Sequence, residues 1–134
     1  MVVQAQEEIK ISTESDIVQV RAGVKRIVNG LGFSAINQTK IVTAASELAR
    51  NTLDYGLGGA VKIEVVEKIG RVGVRLCFED QGPGIADVQQ ALKDGYTSGG
   101  GMGLGLGGSK RLMDEFEIKT APGDGTTITV TKWK

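Results

Sequence analysis

Apolar residues recur at helical spacing in two early stretches of the chain and alternate in several others, and the change of period marks out the elements. Ile17, Val20, Val24, Ile27, Val28 and Leu31 follow one helical face. Thr13 and Asp16 form a Thr-x-x-Asp start ahead of that face, and Gly30 and Gly32 stop it. A second helix is predicted from about Ala35 to Tyr55, with Ile41, Ala45, Leu48 and Thr52 on one face and Gly56, Gly58 and Gly59 ending it. Strand-like alternation or β-branched enrichment covers Glu7–Ile11, Val61–Ile69, Val72–Phe78, Phe116–Thr120 and Thr126–Lys132. Gly70-Arg71 reads as a hairpin turn, and Pro122-Gly-Asp-Gly as the turn between the last two strands. A short helix is expected over Ala86–Leu92 and another through Lys110–Glu115, beginning near Ser109. The order β-α-α-β-β-α-loop-α-β-β predicts a sheet with helices packed on one face.

Composition narrows the chemistry. With 134 residues the chain is one domain long and should bury roughly two-thirds of its extended surface, so residues 1–134 are taken as one unit. Sixteen basic and sixteen acidic residues cancel, and no Lys/Arg run stands out, which gives no footprint for nucleic acid or an anionic membrane. No 18-residue apolar run and no cationic leader occur, so the expected location is the cytoplasm. The single Cys77 excludes a disulfide within the chain and reads as a structural strand residue. The absence of histidine removes Ser-His-Asp and Cys-His catalysis, His-ligated zinc and a phosphohistidine intermediate.

Three motifs carry the chemistry that remains. Phe78-Glu-Asp-Gln-Gly-Pro-Gly-Ile85 is an alternating strand that ends on Asp80 and breaks into a Gly-x-Gly turn. Its carboxylate can accept from an amino group, and Gly82 and Gly84 let backbone pass close to a flat ligand. In the second helix Glu47 and Asn51 lie four residues apart, hence on one face. If that face lines a cleft, Asn51 offers a hard oxygen to Mg²⁺ and Glu47 can take a proton from a hydroxyl; otherwise the pair is a solvated polar stripe. The third motif, Thr97-Ser-Gly-Gly-Gly-Met-Gly-Leu-Gly-Leu-Gly-Gly-Ser109, leads into a helix, an arrangement that can cradle phosphate. Gly103, Gly105 and Gly108 satisfy Gly-x-Gly-x-x-Gly, but no strand precedes them, and no Gly-Lys-Ser/Thr of a Walker loop exists.

Taken together and in this order, the three motifs resemble the GHKL nucleotide-binding family of gyrase-type, Hsp90-type and histidine-kinase ATP domains. Glu47 to Asn51 is similar to its N-box, Asp80-Gln-Gly-Pro-Gly84 to its first glycine box and Gly101-Met-Gly-Leu-Gly105 to its second. Thr126 in Gly125-Thr-Thr is similar to the threonine that borders adenine. Within the family, Ser109-Lys-Arg-Leu-Met-Asp-Glu-Phe116 and the ending Gly-Thr-Thr-Ile-Thr-Val resemble the compact anti-sigma-factor serine kinases, including stressosome switch kinases.

The resemblance implies an α+β fold, a two-layer α/β sandwich with a mixed sheet and helices on one face. It also implies an ATP- and Mg²⁺-dependent serine/threonine kinase. Asp80 would hold the adenine amino group, Asn51 the Mg²⁺, and Glu47 would be the base. Gly82, Gly84 and Thr126 would border the nucleotide, while Ser98, Gly101, Met102, Gly103, Leu104 and Gly105 would fold over the phosphates. The implied substrate is a small STAS-domain antagonist protein, with a phosphatase or other downstream regulator as a second target in partner switching. An alternative stays open because no arginine lies between Tyr96 and Gly101: a nucleotide-binding adaptor that sequesters a sigma factor or activates a phosphatase without appreciable phosphoryl transfer.

Overall fold

The computed structural model describes residues 1–92 and 105–134. The elements run β1 (Val2–Ile11), α1 (Glu14–Gly30), α2 (Ala35–Asp54), β2 (Gly59–Lys68), β3 (Arg71–Asp80), α3 (Val88–Ala91), α4 (Gly105–Leu112), β4 (Glu115–Thr120) and β5 (Thr126–Trp133). Five strands form one sheet in the order β1-β2-β3-β5-β4. The α+β class and the helix layer on one face are as expected, but the sheet is not mixed, because all four pairings are antiparallel. β1 and β2, separated in sequence by α1 and α2, are antiparallel neighbours. β5 enters between β3 and β4 and separates the two strands that share a direction.

The two long helices, α1 and α2, start where the sequence supplies a cap. Thr13 Oγ1 accepts from the Asp16 amide at 3.3 Å, and the Asp16 carboxylate accepts in return from the Thr13 amide at 3.0 Å and the Ser12 amide at 2.8 Å. Ser34 Oγ accepts from the Asn37 amide at 3.1 Å at the start of α2. The apolar faces of α1 and α2 then close on the sheet. Ile17, Val20, Val24, Val28, Ile41 and Leu48 are buried against Ile63, Leu76, Phe78 and Val130. Each large side chain so buried contributes about 1.5–3 kcal/mol. On the other face of the sheet, Lys62, Arg75, Cys77 and Thr129 border a polar groove, where Thr129 Oγ1 donates to Cys77 Sγ at 3.6 Å.

Some boundaries differ from expectation. β1 begins at Val2 rather than Glu7, because a register shift between Val3 and Ala5 interrupts the alternation that would have revealed its first half. The β2–β3 turn is Ile69-Gly70, since Lys68 pairs with Arg71. The last helix runs Gly105–Leu112, not Lys110–Glu115. Leu106, Gly107, Gly108 and Ser109 are buried, and α4 packs on α2, so close approach outweighs the helix cost of about 1 kcal/mol per glycine. α3 is a single turn, shorter than the expected Ala86–Leu92.

Candidate functional site

Antiparallel pairing brings Asp80, the last residue of β3, beside Thr126, the first of β5. The C-terminal end of α2 closes on the same point. A cavity of about 260 Å³ opens there, lined on its apolar sides by Phe78, Ile85, Ala91, Leu106 and Ile128 and on its polar rim by Asn51, Asp80 and Thr126, among others. A slot with apolar walls and few polar groups suits a flat aromatic ligand.

Asp80 is fixed by its own turn. Its Oδ1 accepts from the Gly82 amide at 2.9 Å, and the Thr126 amide also donates to the carboxylate. Desolvation by burial nevertheless holds its pKa above the ordinary carboxylate value, with the Glu79 charge adding to the rise and the two amides opposing it. The cavity therefore contains a carboxylate that would gain from a donor on the ligand. A purine amino group is such a donor.

The glycines of this turn also pack against neighbouring backbone. A Cβ on Gly82 would lie 2.7 Å from Gly56 Cα, and a Cβ on Gly56 would collide with the Asp80 carboxyl group. Gly84, at φ +78°, meets the Ala121 carbonyl in the same way. These residues bring protein backbone against protein backbone, and of Gly82 and Gly84 only Gly84 lines the cavity. The turn is also tied to the β4–β5 connection. The Gly123 amide donates to the Pro83 carbonyl at 2.7 Å and the Ile85 amide to Thr120 Oγ1 at 2.9 Å. Thr120 Oγ1 in turn lies 2.9 Å from Thr126 Oγ1, so Thr126 borders the cavity as part of a three-residue polar clasp.

On α2, Asn51 lines the cavity, and its side-chain amide makes no hydrogen bond among the described residues. An unengaged hard oxygen at the mouth of the slot fits a role toward Mg²⁺. Among the described residues there is no cluster of three or more acidic, Cys or His side chains that could hold a metal. Glu47 lies one turn earlier, 5 % exposed, and is not among the lining residues. Tyr55 continues the 47-51-55 ladder into the cavity wall and could have been found from the same spacing. Thr120 had no such signature. Of the remaining expected residues, Gly105 begins α4, whereas Ser98, Gly101, Met102, Gly103 and Leu104 lie outside the described residues.

Residues 36–134 match the family described as histidine kinase-, DNA gyrase B-, and HSP90-like ATPase. The chain belongs to this family. It is 45% identical over 125 residues to serine/threonine-protein kinase RsbT of Bacillus subtilis (strain 168), covering 93% of this chain and 94% of that one. It is 32% identical over 121 residues to an anti-sigma F factor of Clostridium novyi (strain NT), covering 84% and 82%. Among solved structures, the RsbU and RsbW domains of Rv1364c from Mycobacterium tuberculosis align with a TM-score of 0.69 at 21% identity, covering 98% of this chain and 33% of that one. That alignment shows the family fold alone. Among the described residues no helix is long and apolar enough to cross a membrane.

Proposed function

We propose that this protein is an ATP- and Mg²⁺-dependent protein serine/threonine kinase that phosphorylates a small STAS-domain antagonist in a bacterial partner-switching stress pathway. The observation that carries the reading is the ladder on α2, where Glu47 stands one turn from Asn51, and Asn51 faces a slot that also holds Asp80. The 45% identity to a serine/threonine-protein kinase and the likeness to anti-sigma F factors support kinase chemistry and partner switching.

Bound Mg-ATP supplies the phosphoryl group and most of the charge neutralisation its transfer requires. Asp80 would accept a hydrogen bond from the adenine amino group, and the apolar walls would exclude water from the ring. Asn51 would hold the Mg²⁺ through its amide oxygen. Glu47 would take the proton from the substrate serine or threonine hydroxyl as that oxygen bonds to the γ-phosphorus of ATP and the bond to the bridging oxygen breaks, with ADP leaving. Gly82, Gly84 and Thr126 would border the adenine end, and the glycine-rich stretch with Ser98, Gly101, Met102, Gly103, Leu104 and Gly105 would contribute to holding the phosphates. The reaction takes place in the cytoplasm, and release of the phosphorylated antagonist frees the kinase for a second target such as a phosphatase.

The test is Glu47→Gln, which keeps size and helix propensity but cannot accept the proton. The expected outcome is loss of transfer from labelled ATP to partner proteins in native cell extract by about 10²–10⁴-fold, with nucleotide binding retained. Transfer at the wild-type rate would remove Glu47 as the base. No transfer even by the wild type, with nucleotide and partner bound, would favour an adaptor.

A further inference from the structure

Arg50 is the cation next to the proposed base on α2, three residues from Glu47, yet the two do not pair. Its guanidinium instead reaches across to α1. Arg50 Nη1 lies 2.6 Å from Glu14 Oε1, and Nη2 lies 2.8 Å from Glu14 Oε2, a bidentate fork that uses both terminal nitrogens. Asp54, one turn further along α2, stands 4.0 Å from Nη1. Glu47 makes no hydrogen bond or ion pair among the described residues and is buried. Arg50 nonetheless feels its charge, together with the larger effects of Glu14 and Asp54.

Residues three apart on a helix are within reach of one another, so an untethered Arg50 has Glu47 as a natural partner. That pairing would occupy the oxygen lone pairs a hydroxyl proton must use. We infer that Glu14 is a positioning residue, whose carboxylate holds Arg50 away from Glu47 and keeps the base open to the acceptor hydroxyl. Glu14 is suited to this task by its place at the first residue of α1, fixed by the capping box beside it. The inference rests on Glu47 being the base, but the geometry it asserts can be read without any phosphoryl transfer.

Two readouts separate the possibilities. In the first, the Arg50 Nε–Hε signal of the ¹⁵N-labelled protein is followed by NMR in Glu14→Gln, Glu47→Gln and the double variant. Glu47→Gln should leave the signal nearly in place in the wild-type background and move it clearly in the Glu14→Gln background, because only then has Arg50 turned to Glu47. If the signal is no more sensitive to Glu47→Gln once Glu14 is replaced, the tether does not exist.

In the second readout, phosphoryl transfer by Glu14→Gln should fall roughly tenfold at unchanged KM for ATP, within the range over which contacting charges couple. Adding Arg50→Ala should restore most of the rate, since the competitor for the base is gone. A loss that Arg50→Ala does not rescue would assign Glu14 to helix stability and overturn the inference. If no variant and no wild-type protein transfers phosphate, the kinase reading fails, while the NMR comparison still decides the tether.

Discussion

β3 is entered through the two-residue turn Ile69-Gly70 and left through Asp80-Gln-Gly-Pro-Gly84. Both turns contain a glycine at positive φ, +74° at Gly70 and +78° at Gly84. Around Gly70 an added Cβ would meet nothing within 4 Å, and Ile69 beside it is 92% exposed. Around Gly84 the added atom would collide with Ala121, and neighbouring Gly82 is packed on Gly56. One turn only reverses the chain; the other is wedged between α2 and the β4–β5 connection so that Asp80 is held at the polar rim of the cavity. Glycine is needed at the first for backbone conformation alone, and at the second for conformation and space together.

Gly84→Ala should break the wedged end most severely. The left-handed backbone costs about 1–2 kcal/mol for a residue with Cβ, and overpacking against Ala121 about 1–3 kcal/mol more. The expected result is a melting temperature lower by about 10 °C or more together with weakened Mg-ATP binding. A melting curve matching the wild type would show that the turn has room to yield.

Asp80→Asn tests the same end by charge at nearly constant shape. Loss of an ionised acceptor should weaken ATP binding by about 1.5–3 kcal/mol. Stability should move the other way. Because burial raises the Asp80 pKa in the folded state, its contribution is fully present below the unfolded carboxylate value, about 3.9, and is lost as pH rises through the folded value. At pH 7 the ionised group therefore opposes folding, and the nucleotide-free Asn variant should melt higher than the wild type. That advantage should shrink toward pH 3. Melting curves at both pH values, with and without Mg-ATP, check the sign, and a variant less stable at pH 7 than at pH 3 relative to wild type would contradict it.

The two ends also differ in how far the sequence reveals them. Period-2 alternation shows β3 itself, and the candidate site side chains stand out by type and spacing, Asp80 at a strand tip and Glu47 and Asn51 one helical turn apart, as do Thr13 and Asp16 as a helix cap. What the sequence cannot display is which backbone a glycine will touch. Gly82 against Gly56 and Gly84 against Ala121 depend on pairings across 26 and 37 residues. The Thr120–Thr126 clasp has the same origin, and the shifted register at Val3/Ala5 hides half of β1 for the related reason that a bulge cancels its own alternation. At α4 the glycines suggested a loop by local propensity, whereas packing on α2 recruited four of them or their neighbours into a helix.

Gly70→Ala sharpens the contrast with Gly84. With no atom to strike, only the backbone cost of about 1–2 kcal/mol should appear, and nucleotide affinity should not change. A penalty as large as that of Gly84→Ala would mean that the open turn is constrained by something beyond its own φ.

Ile69→Asn should produce the smallest effect, and of opposite sign. Ile69 sits at φ +50°, where its branched Cβ is disfavoured, and its exposed side chain buries almost nothing in return. Asn tolerates this conformation, and Asn-Gly suits a two-residue hairpin in which both φ values are positive. The exchange removes strain at no cost in packing, so stability should rise by about 0.5–1 kcal/mol. Urea unfolding would show a higher midpoint at unchanged slope, since the surface exposed on unfolding is nearly the same. The Kd for Mg-ATP should match the wild type, because the turn stands at the opposite end of β3 from Asp80. A variant that loses stability would show that Ile69 holds the hairpin by contacts its exposure conceals, and one that alters nucleotide affinity would show that the two ends of the strand are coupled.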